Sequence, residues 1–554
     1  MIVKMKHLDL VCVKAERDAA IAALRSLGAV HIDFSGASGE AVAAAKGEIA
    51  RLEKAVWTIQ KSRTSTGRGK GRENLDASAV CALSDEADAI ASQCDDLARA
   101  IAKYAPYGDF DPVLAKKVLD AGIDISLIAE LPKELPPKRL SAMEADLARA
   151  RAEREAIVEK IASADEDAIA SRLGGLSDRV AFESARELMA THGEVAVISG
   201  WIPVTRTDDF AAMAEKMEWG SLLRDPADGE TPPTLVEPPK FFRPMKALFS
   251  GLGIAPAYTE ADVSVPFMCY FSLFFAMLVG DGAYGALFLA GALAMRRKLP
   301  KNWFVLLVVF SCAAICWGVL SNTWFGAAIP YCADWPTVKW LGDVTYKNMM
   351  LVCFTVGASH LMLARVWNGI CKFPDSTAIA EFGWAGVLLF MYFVTNSLVG
   401  IFDSIPSCMT WMFGLSLACV FLFSVKPKDL GKNGITLGML PLNIMSSLGD
   451  IISYVRLFAV GLASVKVAEN FNAMAFGLVS CDKPLWLNAL MFIGTVLILV
   501  AGHALNLAMA ALSILVHAVR LNTLEFSNHK GVSWSGYAFN PFVKQETKER
   551  NKEK

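Results

Sequence analysis

The sequence has no Gly-x-x-x-x-Gly-Lys-Ser/Thr loop. Its nearest string, Gly67-Arg-Gly-Lys-Gly-Arg72, has the wrong spacing and no following Ser or Thr to open a helix, which excludes nucleotide binding through such a loop. Twelve cysteines are present, yet none forms a Cys-x-x-Cys pair. Nine of them, the eight from Cys269 to Cys419 plus Cys481, lie in or beside apolar segments, where thiols act as small apolar fillers. Neither a disulfide framework nor a metal site is expected, and no cofactor is implied. The first residues, MIVKMKHLDLVCVKAERD, hold no long apolar core and no cleavage site. No signal peptide is therefore expected, and the first half is expected in the cytoplasm. A net charge of −2 gives no bulk electrostatic case for nucleic acid.

Charge is also scarce in one place only. Residues 1–240 are rich in Ala, Glu, Asp, Lys and Arg, whereas 265–526 are mostly Leu, Phe, Val, Ala, Met and Trp. The first part reads as soluble and the second as embedded in a bilayer. The expected division is an N-terminal arm over 1–240, a linker over 241–265, a membrane domain over 266–526 and a cytoplasmic tail over 527–554.

In the arm, residues 3–13 and Val30–Phe34 read as strands flanking a helix with Ile21, Leu24 and Leu27 on its apolar face. Three stripes of 3/4 spacing follow: Val42 to Ile59, Val80 to Ile101, and Leu140 to Ile161, the last interrupted by Arg154. Such stripes are seams of helices packed on each other. Gly67, Gly69 and Gly71 mark a turn between the first two, and a compact insert from Pro106 to Pro137 separates the second and third. Val195–Trp201 then reads as a strand and Phe210–Met217 as a helix. The spacing predicts an elongated helical bundle, or coiled coil, with a small α/β lobe at each end. Heptads do not name their partner, so a generic coiled-coil adaptor fits this half equally well.

Seven apolar blocks follow: 266–295, 302–324, 348–367, 382–402, 407–425, 435–478 and 484–520. Each is near or above the roughly 20 residues needed to cross a bilayer. Alternate linkers hold nine positive residues (Arg296, Arg297, Lys298, Lys301, Arg365, Lys372, Lys426, Lys428, Lys432) against three (Lys339, Lys347, Lys483). By the positive-inside rule the 296–301 linker and the tail lie inside. A single crossing by the first block would then put the arm outside. The block is 30 residues long and is interrupted by Gly280-Asp-Gly282, a natural hairpin break. Eight passes, or six plus a re-entrant hairpin, put both termini in the cytoplasm; eight is the preferred count, with the last two helices long and tilted.

Polar residues in the last two blocks stand out, because a charge at mid-bilayer costs roughly 2.5–3.5 kcal/mol on insertion scales. Arg456 lies on a face with Ser446, Gly449, Ser453, Val460, Ala463 and Ser464, which are mostly small enough to let another helix approach. In the last block His503, Asn506, Ser513, His517 and Arg520 share one stripe at helical spacing, with Ala510 in its middle. One polar residue in a membrane helix often only bonds a neighbouring helix; five on one stripe point to a hydrated ion pathway. Arg520 sits near the helix end, where snorkelling to the surface is cheap. Lys466 and Glu469 read as a local or interfacial pair.

These residues carry a specific resemblance. SYVRLFAVGLAS (453–464) and GHALNLAMAALSILVHAVRLNTLEF (502–526), leading to Gly536-Tyr-Ala-Phe-Asn-Pro-Phe542, resemble signatures of the a/I subunit of vacuolar- and archaeal-type rotary ATPases, bacterial short form. So do PYGDFD (106–111), GWIP (200–203), SLFFAMLVGDGAYG (272–285) and WGVLSNTWFG (317–326), in family order over essentially the whole chain. The resemblance implies a multi-pass cell-membrane subunit that is not an enzyme on its own. It implies an arm that contacts E/G-type peripheral stalks, and a membrane domain that clasps a proteolipid c/K ring linked to the central stalk. It further implies proton or sodium translocation coupled to ATP hydrolysis or synthesis, with Arg456 as the stator arginine and Arg520 as its companion. Half-channel lining then falls to His503, Asn506, Ser513, His517, Glu525, Ser453 and Ser464. Eukaryotic members carry a histidine at the position of Ser464 and a glutamate at that of Ala510, so their channel lining does not transfer directly. A secondary transporter with a cytoplasmic regulatory domain would show paired broken helices, and only one Gly-broken block is visible. A non-conducting scaffold has no use for Arg456 or the stripe.

Overall fold

The computed structural model describes residues 1–544 apart from 37–38, 68–72, 122–134, 228, 333, 343–344, 425–437 and 479–484. The central part of the expected insert, two of the three turn glycines, Lys426, Lys428, Lys432, Lys483 and the tail beyond Lys544 lie outside the described residues.

The two α/β segments of the arm fold as one lobe. Strand β1 (Met5–Val13) leads into α1 (Arg17–Leu27), which Gly28 ends at φ 61° in the left-handed conformation. Strands β2 (Ala190–His192), β3 (Val195–Pro203) and β4 (Gly220–Arg224) return about 190 residues later, with α7 (Thr207–Lys216) between the last two. The sheet order is β2-β3-β1-β4. Strands β1 and β3 pair antiparallel from Met5↔Pro203 to Val13↔Val195. The expected lobe at each end of the bundle is thus corrected: pairing across the sequence joins both α/β readings, and the sheet's alternate residues Leu8, Leu10, Ala196 and Ile198 share a core with Ile21, Leu24 and Phe210. Nor is Val30–Phe34 a strand. His31 and Trp201 exchange both backbone hydrogen bonds at 2.8 Å, as a single bridge. Gly200 permits this approach, since a Cβ there would lie 2.8 Å from the His31 carbonyl oxygen.

The bundle consists of α2 (Glu40–Thr66), α3 (Ala77–Tyr104), α5 (Leu140–Ala162) and α6 (Glu166–Leu188), with the short α4 (Pro112–Asp120) in the insert. Leu52, Ile59, Val80, Ile161 and Ile169 form its buried seam. The heptad reading is right for three helices, and Arg154 does not interrupt α5. It omits α6, whose Ile169, Leu173 and Leu176 continue the same seam.

The membrane half begins with α8 (Met245–Leu252) and the pair α9 (Ser264–Val279) and α10 (Gly282–Ala294). It continues with α11 (Lys301–Ser321), α12 (Pro336–Leu341), α13 (Lys347–Lys372), α14 (Thr377–Leu398) and α15 (Ser407–Phe423). Helices α16 (Leu440–Ile452) and α17 (Val455–Leu478) come from the sixth block. Last come α18 (Leu485–Ser513), π-helical turns at Ile514–Ala518 and Leu521–Phe526, and α19 (Ser527–Lys530). Among the described residues, five helical stretches are long and apolar enough to cross a membrane, and the α9–α10 pair, bent by 118°, adds a sixth if it counts as one span. The first block does reverse at Gly280-Asp281. At 1.5 Å per residue its two helices measure only about 24 and 20 Å, against a hydrocarbon core of about 30 Å. Most of α9 is buried inside the protein, and it crosses α17 where Gly461 would bring a Cβ to 2.4 Å from the Met277 carbonyl oxygen.

The tail after α19 is an ordered strap. Tyr537 and Phe539 bond Thr234, near the end of the arm, through backbone contacts of 2.8 and 3.0 Å. Asn540 N–H donates to His31 Nδ1 at 3.0 Å, and Phe542 enters the core of the lobe.

Candidate ion-translocation site

Arg456 stands just past a break. Helix α16 ends at Ile452, Ser453 and Tyr454 form a turn, and α17 starts at Val455. In this turn the Ser453 carbonyl accepts both the backbone N–H of Arg456, at 3.3 Å, and its Nε–H, at 2.9 Å. The guanidinium Nη2 donates to Glu525 Oε1 at 2.6 Å, and Arg520 Nε lies 3.6 Å from the same oxygen. Glu525 is 5% exposed, and among the described residues its Oε2 accepts no hydrogen bond. His517 Nδ1 is likewise buried without a partner among the described residues.

Two anchors hold the break. Tyr454 is fully buried, its ring pressed on Gly357 of α13, and its hydroxyl lies 2.9 Å from His360 Nδ1. His360 in turn is stacked between Tyr270 and Phe526, with ring centroids at 4.1 and 4.4 Å. On the other side Asp450 Oδ2 lies 3.0 Å from His529 Nε2. His529 Nδ1 accepts Arg365 Nε–H at 3.1 Å, and Arg365 and Lys372 both bond Glu381, at 3.1 and 2.6 Å. Two of the nine positive residues used for orientation thus form a polar chain that reaches Asp450.

A second polar cluster lies earlier in the chain, on α18. Asn506, fully buried, donates to the Ser464 carbonyl at 2.9 Å and to the Tyr284 hydroxyl at 3.0 Å. Ser464 Oγ donates to Asn506 Oδ1 at 3.1 Å, and Tyr284 Oη lies 2.8 Å from His503 Nδ1. Tyr284 is delivered by the α9–α10 reversal. Asp281 caps α10 through Ala283 N–H at 2.8 Å, and its other oxygen accepts Gly326 N–H at 2.8 Å, which ties the reversal to the loop after α11.

The single stripe expected on the last helix is therefore two clusters. His503 and Asn506 join Ser464; His517 and Arg520 join Arg456 and Glu525. Buried Ala510 and Ile514 separate them, and Ser513 makes no side-chain hydrogen bond among the described residues. The π-turns change the helix phase between and after these residues, so Arg520 is exposed while Asn522 and Glu525 turn inward. Ser453 contributes through its carbonyl; its hydroxyl donates to the Asp450 carbonyl at 2.6 Å. Lys466 and Glu469 form a local pair at 2.7 Å. Sequence reasoning did not single out Tyr284, His360, Asp450, His529 and Glu381, and it used Arg365 only for orientation. For His360 and Asp450 the available signal was a lone histidine or carboxylate inside an apolar block.

A scan against protein-family models finds no match. Among curated proteins, the chain is 28% identical to V-type ATP synthase subunit I 1 of Treponema pallidum, over 98% of this chain and 100% of that protein. It is 30% identical to V-type ATP synthase subunit I of Borreliella burgdorferi, over 66% of this chain and 63% of that one. A-type ATP synthase subunit I of Methanocaldococcus jannaschii is 22% identical over 74% of this chain and 64% of its own length.

Proposed function

Since the chain belongs to the a/I subunit family of V- and A-type ATP synthases, we propose that it is the ion-conducting stator of such a rotary complex. Residues 266–526 form the conducting domain, and 1–240 are the arm held by E/G-type peripheral stalks. Both termini lie in the cytoplasm, and eight passes result if α9, α10 and α15 each cross. The observation that carries the reading is Arg456, placed at a helix break and paired with buried Glu525, with a separate polar cluster between α17 and α18.

Carboxylates of a c/K proteolipid ring must be neutral or ion-loaded while they face lipid, because a bare charge there is costly. A guanidinium stays protonated across the physiological range. A ring carboxylate that reaches Arg456 is favoured in its ionised form and releases its ion. Glu525 holds the guanidinium in place between such encounters, so the ring carboxylate exchanges with a partner already present and Arg456 is not left bare. Arg456 also repels a free cation and blocks direct leakage. The lower cluster, with His517 and Arg520, serves one half-channel; the upper cluster of His503, Asn506, Ser464 and Tyr284 serves the other. Asn506 and His517 are eleven residues apart, roughly 16 Å along a helix, and the apolar stretch between them keeps the two water-filled paths apart. The large exposed side chains of α18, among them Leu497, Val500, Leu505, Met509 and Leu512, give this face an apolar surface for ring and lipid.

The test is Arg456→Gln in the reconstituted holoenzyme. ATP-driven ion uptake into vesicles is expected to be lost while the complex still assembles. Near-normal uptake by an assembled variant overturns the reading.

A further inference from the structure

A basic surface at the start of the membrane half has no role in the conduction scheme. Lys240, Arg243 and Lys246 are exposed on the segment that leads through α8, and Arg296, Arg297, Lys298 and Lys301 are exposed on the segment that opens α11. None of the seven has an ion-pair partner among the described residues. The sequence offers them none nearby: there is no Asp or Glu between residues 238 and 259, nor between 282 and 333. The fold brings the two segments together. Helix α8 packs on the first turns of α11, close enough that a Cβ on Gly251 would lie 3.0 Å from the Trp303 ring. Met245, Leu248 and Phe249 bury the inner face of α8, which leaves Lys246 outside. Phe241 is 69% exposed amid these cations, and Trp303 is half-buried at the same end.

Unpaired cations beside an exposed aromatic ring, at the mouth of apolar helices, fit one partner chemistry. We propose that this surface binds the headgroups of anionic phospholipids of the surrounding bilayer, with Phe241 inserted among the acyl chains. Charge decides the occupant: seven cations with no neighbouring carboxylate repel a basic protein segment, and the bilayer meets this rim directly through α11. Anionic headgroups gain Coulomb attraction in the interfacial region, while the aromatic rings sit at headgroup depth. The lipids seat α8 flat on the membrane and so fix where the linker between arm and membrane half leaves the surface. This inference needs only the membrane location of the chain and is independent of conduction by Arg456.

The experiment uses the full chain in phosphatidylcholine vesicles that contain spin-labelled phosphatidylglycerol or spin-labelled phosphatidylcholine as probe. The motionally restricted fraction reports lipid at the protein boundary. The expected result is a preference for phosphatidylglycerol of roughly five-fold at low salt, reduced at high salt. In K240Q/R243Q/K246Q, which leaves the span-flanking 296–301 linker intact, the preference is expected to drop at least two-fold. F241S is expected to reduce the restricted fraction of both lipids. Equal restriction of the two lipids by the natural chain overturns the proposal, as does an unchanged preference in the triple variant.

Discussion

Removing one member of the Arg456–Glu525 pair and removing both have different expected costs. Arg456→Gln leaves Glu525 buried with only Arg520 at 3.6 Å as a distant partner. A broken buried pair costs about 3–5 kcal/mol; because Arg456 is 22% exposed and Arg520 remains, roughly 2 kcal/mol is expected here. In Arg456→Gln/Glu525→Gln two neutral amides bond each other, and most of that stability is expected to return. Transport is expected to stay absent, because in the proposed mechanism the guanidinium that meets a ring carboxylate is that of Arg456, and exposed Arg520 does not replace it. Thermal unfolding of the single and double variants, read beside vesicle uptake, separates the two effects. Equal melting temperatures for single and double variants would refute the pairing argument.

At the scale of the element, the decisive feature is the break between α16 and α17. Gly357→Ala is expected to drive Tyr454 off α13, since the new Cβ would lie 2.4 Å from its ring. Overpacking of this kind costs about 1–3 kcal/mol. Uptake is expected to fall well below that of the natural chain although Arg456 is still present, because the turn that aims it has moved. Unchanged uptake and unchanged melting would show that the break does not depend on Tyr454. Legibility in the sequence follows the same elements. The seams of α2, α3 and α5 were readable because 3/4 spacing is local, and α6 carried the same spacing at Ile169, Leu173 and Leu176. The pairing of β1 with β3 was not readable, since antiparallel register over 190 residues leaves no mark on either strand alone. Arg456 and Asn506 were legible as polar residues in apolar helices, whereas Glu525, past the last apolar block, came only as a candidate for half-channel lining. Their grouping was not legible: ideal helical spacing put Arg520 on the buried stripe, and the π-turns take it off. Tyr284 could not be found from the last helix, because a different element delivers it.

Across the whole molecule the tail contact introduces a pH dependence. Burial holds the His31 imidazole below its ordinary pKa, against smaller upward pulls from the Asn540 backbone and Asp33. A detached strap exposes the ring, which then takes up a proton near its usual value of about 6.5, whereas the docked strap resists protonation until lower pH. Between the two values proton uptake favours detachment, so docking is strongest above about pH 6.5 and weakens as pH falls. Amide exchange at Asn540 and Phe542, corrected for intrinsic rates, is expected to show less protection near pH 5.5 than near pH 7.5. His31→Gln is expected to remove that difference. A pH effect of equal size in His31→Gln would place its origin elsewhere.

The strap also has a mechanical consequence. The chain runs between lobe and membrane half twice, outward through residues 225–263 and back through 531–543, and the two runs are cross-bonded at Thr234 and at Ala255. A lone strand carries tension but swivels freely about its single bonds. A two-ply cord whose plies are joined along their length resists twisting, because a turn of one end must lengthen both plies. In the stator role proposed above the load is torsional, so the second ply, rather than the strength of the first, sets how far the arm winds up before it pushes back.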